Sequence, residues 1–434
     1  MLQEIYRFIR RNFTENTLLR HRSKQNGQMK VLQINITVNV GSTGRIAEQI
    51  GLAVKERGGE SYIAHGIDKA ISQSNVITIA SRWNYRIHRN LSKWTDMQGR
   101  FSVLATKRLV RKIAKIAPDI IHLHNIHGSY INYKILFGYL SQAGMPVVWT
   151  FHDCWPITGH CAHFAYAKCE KWKTGCYDCP EQKSYPTSKF FDRSRKNYIE
   201  KRETFNSVKN MTIVPVSNWL GGVVKESFLG KYNVEVIHNG IDIATFAPIT
   251  DSDLRERYGL ADKRVILAVA SPWGVRKGLD DLKRLSGMLP RDRYQMVVIG
   301  LNPKQLATLP DGIVGLQRTA NVEELAAWYS LADVFVNPTY EDTYPTTNLE
   351  ALSCGAPVVT YRTGGSPESV TAETGRVVEK GDLDALVRAI DELCAEDRDA
   401  MRRRCRDYAE AHFDNRSCFR KYIELYEKLI NKTK

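Results

Sequence analysis

Short apolar runs recur along this chain, and most are followed by a stretch whose apolar residues repeat with helical spacing. Residues 30–36, Lys30-Val31-Leu32-Gln33-Ile34-Asn35-Ile36, read as a buried strand. Val40-Gly41-Ser42-Thr43-Gly44 then reads as a small-residue turn that opens a helix running from Arg45 to about Arg57. Further strands are predicted at 61–64, 120–123, 147–151 and 212–215, with helical stretches between several of them. A second start at 264–270 leads to predicted strands at 295–299, 334–336 and 357–360. This alternation predicts an α/β chain of two doubly wound parallel sheets flanked by helices. The turn-rich connection from Asn239-Gly240-Ile241-Asp242 to Pro248 is the natural hinge. The expected organisation is a basic extension over 1–28, a first domain over 29–242, a second over 243–398 and a helical tail over 399–434.

Length agrees with this division, because 434 residues exceed one core and suit two domains of roughly 150 to 200 residues. There is no run of eighteen apolar residues and no secretory apolar segment before a cleavage site, so a cytoplasmic protein is expected. A net charge of +15 favours anionic partners. Nucleic acid is set aside, because no binding module is recognisable and the cations are scattered. An anionic membrane surface suits better. Leu2, Ile5, Tyr6 and Ile9 stand at helical spacing opposite Arg7, Arg10 and Arg11, which predicts peripheral contact at the inner face of the membrane. The alternative is a leader outside the native protein, since Met29 directly precedes the first strand.

The chemistry concentrates in the second half. Asp342 and Glu350 are separated by seven residues across a predicted loop-to-helix junction. Pro338 and Pro345 break regular structure on either side of Asp342, and a short helix is predicted from 346, capped by Thr346 or Thr347 and stopped at Gly355. Its first-turn N–H groups would face the carboxyl end of the preceding strand, a place suited to a diphosphate. Glu350 is then placed to bridge ribose hydroxyls and Asp342 to accept from sugar hydroxyls. Arg276-Lys277-Gly278 supplies two cations for the same diphosphate. Gly41 and Gly44 offer a further anion site at a helix start, or simply a tight turn; the dinucleotide spacing of glycines is missing, which argues against an NAD enzyme. His122 and His124 fall on one side of their strand, and His152 ends the next, beside Asp153. Neither a hydrolytic carboxylate pair nor a Gly-x-Ser-x-Gly elbow is evident.

The Asp342 to Glu350 spacing, Arg276-Lys277-Gly278, Asn239-Gly240-Ile241-Asp242 and Val214-Pro215-Val216-Ser217 together resemble the retaining GT-B glycosyltransferases of group 1 and family 4, whose signature is Glu, seven residues, Glu. The resemblance covers nearly the whole chain from Met29. It implies two Rossmann-like domains facing across a cleft and a C-terminal helix that returns to the first domain. It also implies transfer of a sugar from a nucleoside-diphosphate sugar to a glycan or polyprenyl-diphosphate-linked acceptor, without a cofactor required for catalysis. Arg276, Lys277, Asp342, Glu350, Gly41, Gly44, Thr346 and Thr347 are the implied donor-binding residues. His124, His152 and Asp342 are the implied catalytic ones, and the departing phosphate is expected to take the acceptor's proton. Two positions depart from the pattern: Asp342 stands for Glu with Glu341 one residue early, and Ser271 replaces an arginine. Pro345-Thr346-Thr347-Asn348-Leu349-Glu350-Ala351-Leu352 and the cysteine insert look most like bacterial colanic acid, capsule and lipopolysaccharide enzymes. The departures also leave open a non-catalytic sugar-nucleotide or glycan-binding protein, or a sugar-nucleotide epimerase.

Five of nine cysteines fall between Cys154 and Cys179. Cys176 and Cys179 have the spacing of a metal knuckle, and Cys161 and Cys169 complete a four-thiolate set for structural zinc; unliganded thiols are the other reading.

Overall fold

The computed structural model describes residues 28–250, 252–260 and 262–432. The amphipathic reading of residues 1–13 lies outside them. The chain forms two compact units: residues up to Ile237 together with those from Phe419 onward, and residues His238–Cys418.

The first unit is built on a seven-stranded sheet of order β3-β2-β1-β4-β5-β6-β7. The strands are β1 (Lys30–Asn35), β2 (Glu60–His65), β3 (Asn75–Thr78), β4 (Ile120–Leu123), β5 (Val147–Phe151), β6 (Met211–Pro215) and β7 (Asn233–Val234). All neighbours pair in parallel. Strand order reverses between β1 and β4, and the crevice outside their carboxyl ends is where such sheets bind ligands. The second unit repeats the plan with six parallel strands, β10-β9-β8-β11-β12-β13. These are β8 (Arg264–Val269), β9 (Tyr294–Ile299), β10 (Ile313–Leu316), β11 (Val334–Asn337), β12 (Val358–Tyr361) and β13 (Gly375–Val378). Its reversal falls between β8 and β11. Both central strands are buried throughout or nearly so, as continuous apolar runs covered on two faces require.

Two boundaries differ from the sequence expectation. The helix after β1 begins at Gly41 and runs to Glu56, so the small residues form its first turn instead of preceding it. The C-terminal tail is two helices, Arg398–Phe413 and Asn415–Lys432. At the break, Ile241 N–H donates to the Phe413 carbonyl at 2.9 Å and Asn415 N–H to the Ile241 carbonyl at 3.0 Å. A Cβ on Gly240 would sit 2.6 Å from Asn415 Cα, so the strand-like approach depends on glycine there. The Arg398–Phe413 helix stays with the second unit, where Arg406 donates to the carbonyls of Ile243, Phe246 and Ser353. Within the first unit, Tyr422 and Tyr426 of the last helix bond Thr150 and His122.

Candidate active site

In the second unit, the chain leaving β8 closes into a single turn, Val275–Lys277, that Gly278 ends at φ 76°. A Cβ on Gly278 would lie 2.1 Å from the Pro338 carbonyl oxygen, so glycine alone lets this turn rest on the loop that follows β11. Tyr340 N–H donates to the Arg276 carbonyl at 2.7 Å, and the Thr339 hydroxyl donates to the same oxygen at 3.3 Å. With the two switch-point loops fastened together, their side chains meet. Arg276 Nη1 donates to Glu341 Oε2 at 2.9 Å, and Lys277 Nζ to Asp342 Oδ2 at 2.6 Å. Glu341 is 6% exposed whereas Asp342 is half-buried, so the adjacent acids divide the work. Glu341 orients Arg276 from beneath. Asp342 stays reachable beside Lys277, and its Oδ1 also accepts from the Tyr344 N–H at 3.2 Å.

The helix after this loop runs Thr346–Ser353 with Pro345 at its N-cap, which supplies no side-chain cap bond. Thr346 and Thr347 are therefore its first turn, not its cap, and the positive end of the helix opens at the carboxyl end of β11. Asn348 is fully buried and anchors the helix: Asn337 Nδ2 donates to its Oδ1 at 2.8 Å, and its own Nδ2 donates to the Ser369 and Ser366 hydroxyls at 3.0 and 3.2 Å. Glu350, one turn in, is half-buried and accepts from the Tyr329 hydroxyl at 2.9 Å. Nothing in local sequence marks Tyr329, which lies 21 residues upstream on the helix Val322–Leu331.

In the first unit, the histidines form a chain that begins in the sheet. Gln33 Nε2 donates to the Ala47 carbonyl at 2.8 Å, so its Oε1 accepts from His124 Nε2–H at 2.9 Å. His124 Nδ1 is then the acceptor for His152 Nε2–H at 3.1 Å. His122 packs on His124 with ring centroids 4.0 Å apart, and its nitrogens meet Tyr426 and Thr150 at 2.6 and 2.7 Å. Burial pushes His122 and His124 well below the usual histidine range and His152 down to about 4, so all three are neutral at pH 7. His124 is 1% exposed while His152 is half-buried, which makes His152 the end that meets solvent. Asp153, read in the sequence as the partner of His152, hydrogen-bonds His127 Nε2 at 2.8 Å and acts on His152 through its charge. Burial opposes the Asp153 charge, but His127 and the Trp155 N–H outweigh it and hold the carboxyl at about 2.

The Gly41–Gly44 turn opens a 16-residue helix without a side-chain cap at its start. Gly41 has φ 67° with open space beside it, while Gly44 packs against Thr37. Both flank the β1–β4 crevice of the first unit.

The cysteines are all free thiols. The Cys161 thiol donates a hydrogen bond to the Cys179 sulfur, and Cys176 accepts from the Gly159 N–H at 3.1 Å. Among the described residues no three His, Cys, Asp or Glu side chains stand together as a ready ligand set. Two buried basic groups border the thiols. Lys201, 2% exposed, donates to the Trp155 and Thr158 carbonyls and lies 3.5 Å from the Trp155 ring centre. Burial lowers it to about 7, against an opposing pull from Cys176 and Cys161. His160 pairs with Asp96, which outweighs burial and raises it.

Comparisons with known proteins bear on the fold and family of this chain. Residues 44–245 match the family described as Glycosyltransferase Family 4, and residues 263–396 match Glycosyl transferases group 1. WcaC of Escherichia coli (strain K12), named as a colanic acid biosynthesis glycosyl transferase, is 26% identical over 379 residues, covering 83% of this chain and 89% of that protein. The sucrose-phosphate synthase structure from Thermosynechococcus elongatus superposes with TM-score 0.70 at 18% identity, over 93% of this chain and all of that one. Anabaena HepE, solved in complex with UDP, gives TM-score 0.65 at 16% identity, over 92% of this chain and all of that one. Two parallel-sheet units, one matching each family description, make this chain a member of the GT-B glycosyltransferases, with a family 4 domain followed by a group 1 domain.

Proposed function

We propose that this protein is a retaining hexosyltransferase that moves a sugar from a nucleoside-diphosphate sugar to a glycan or polyprenyl-diphosphate-linked acceptor during assembly of a bacterial surface polysaccharide. The observation that carries the donor half is the pairing of Arg276 with Glu341 and Lys277 with Asp342 at the β8–β11 reversal, beside an uncapped helix start. Diphosphate departure needs fixed positive charge where negative charge develops. Arg276 provides a planar fork and Lys277 a point charge, while Thr346 and Thr347 add first-turn donors. Glu350, its carboxylate oriented by Tyr329, takes the ribose hydroxyls, and Asp342 takes hydroxyls of the transferred sugar. In the first unit His152, backed by His124 and Gln33, meets the acceptor or the sugar as a neutral imidazole. Gly41 and Gly44 present backbone N–H groups to anionic oxygens. Because the two cations occupy the role a divalent ion would fill, catalysis is metal-independent. WcaC and the lipopolysaccharide enzyme WaaG, a further fold neighbour at TM-score 0.61, support the polysaccharide setting.

Nucleotide release from a panel of UDP- and GDP-sugars, with and without lipid-linked oligosaccharide, tests this reading in wild type and Glu350→Ala, with and without EDTA. Acceptor-dependent release that needs Glu350 and ignores EDTA supports it. Donor binding without release from any pair points to the non-catalytic alternative, and release without acceptor points to the epimerase.

The cysteine insert takes a structural part in this scheme. A zinc ion bound by Cys161, Cys169, Cys176 and Cys179 would require these thiols to draw together; the Gly159 N–H on Cys176 and the basic groups of Lys201 and His160 suit the negative charge of four thiolates. One zinc per chain by elemental analysis is expected, lost in Cys176→Ser/Cys179→Ser. A metal-free, folded protein with nine titratable thiols would leave the insert without a metal.

A further inference from the structure

We infer that the helix Arg82–Thr95 of the first unit lies on an anionic lipid surface, holding the protein there by a stripe of exposed apolar side chains flanked by a stripe of cations. Trp83, Ile87 and Trp94 are 72, 58 and 51% exposed and recur at intervals of four and seven, which puts them on one outward face. Arg82, Arg86 and Lys93 repeat the same intervals one position earlier and, with Arg89 one further turn along, form the neighbouring stripe. The Arg86 guanidinium stands 5.5 Å from the Trp83 ring centre, tying the two stripes together. The opposite face holds the helix to its unit: His88 and Ser92 are buried, and the Ser102 hydroxyl bonds both His88 and Asn84.

A helix docked on its polar side with tryptophans facing out inverts the usual arrangement of a surface helix, and such a face marks an interaction site. Charge indicates what it meets. This helix carries no acid, and Val103–Ile116, joined to it through Ser102, adds five lysines and arginines, again without an acid. Leu104, 69% exposed, starts that second helix. Cations alone would suit any polyanion, but aliphatic Ile87 and Leu104 find no use on a sugar-phosphate backbone. A lipid interface accommodates both, the indoles at headgroup depth and the cations against phosphates. The surface does not depend on the proposed reaction, although it would bring the enzyme to a polyprenyl-linked acceptor.

The test is co-sedimentation of the full chain with vesicles of phosphatidylglycerol in phosphatidylcholine, compared with phosphatidylcholine alone. Wild type should pellet with the anionic vesicles and be released by salt. Neutralising three cations in Arg82→Gln/Arg86→Gln/Arg89→Gln should weaken partitioning about 100-fold, from roughly fivefold for each cation. Trp83→Ser/Trp94→Ser should also weaken it, with melting temperature unchanged because both residues are exposed. Nucleotide release with a water-soluble acceptor should be unaffected in both variants. Equal pelleting with neutral vesicles, or variants that pellet like wild type, would overturn the inference. So would failure to bind vesicles together with self-association, or duplex DNA binding, that the same variants abolish.

Discussion

Lys277→Ala is expected to lower sugar transfer about 10²- to 10³-fold, with most of the loss in kcat. The diphosphate already carries charge in the bound donor, and more develops on its terminal phosphate as the glycosidic bond breaks. A cation fixed in place is therefore worth more in the transition state than in the ground state. Lys277 is fixed by Asp342 at 2.6 Å and by a turn that Gly278 presses onto Pro338. Arg276→Ala should cost as much. Glu341→Gln should cost less, because that buried acid positions Arg276 and touches no substrate in this scheme; its signature is partial loss that Glu341→Asp does not restore, since the shorter side chain cannot reach. Steady-state nucleotide release with separate kcat and KM is the measurement. A Lys277→Ala enzyme within about threefold of wild type would remove the pair from the donor site.

Acidification should destabilise the first unit sharply below pH 6.5. His88, His122, His124 and His152 are all buried in neutral form, with His88 pushed down to about 3 and His152 to about 4. An unfolded chain takes up protons at these four sites near pH 6.5 and the folded chain does not, so stability is intact above that value and is lost as pH falls toward the folded values. His160 works the other way, because Asp96 raises it and its contribution is present at low pH. Three net histidines give a loss of about 3 to 4 kcal/mol between pH 7.5 and 5.5, enough to matter for an ordinary domain. Urea unfolding at those pH values, followed by fluorescence from Trp149 and Trp155 of the first unit and from Trp273 and Trp328 of the second, measures it. A midpoint for the first unit that stays flat or rises on acidification would show that the histidines do not carry this cost.

The two predictions draw on different levels of organisation. The residue types of the proposed donor site are legible in the sequence: Arg276-Lys277-Gly278, Asp342 and Glu350 sit where a doubly wound unit collects its ligands. Which acid meets which cation is not. Glu341 and Asp342 are neighbours competing for one motif position, and only the packing of the β8 and β11 loops sends one to Arg276 and the other to Lys277. Tyr329, Gln33 and Asn348 act through contacts that sequence periodicity does not encode. That Asp153 would hydrogen-bond His127, from the loop after another strand, was likewise not marked in the sequence.

The sheets divide along the same line. Every predicted strand is present, whereas β3, β7, β10 and β13 were missed, and each is the edge of its sheet. A central strand buried on both faces must be a continuous apolar run, which its own residues reveal. The edges are short or half-exposed, with burial patterns such as that of Asn75–Thr78, exposed at both ends, and become strands because a neighbour offers them hydrogen bonds. The break at Asp414 has the same origin, since Ile241 inserts there from far upstream. By itself, then, the sequence determined the two sheet cores and the side-chain chemistry available at their carboxyl ends, because burial and side-chain type are local properties. The tertiary structure alone decided the edges, the ion-pair partners, the histidine relay and the outward face of Arg82–Thr95, because each depends on what distant segments bring alongside.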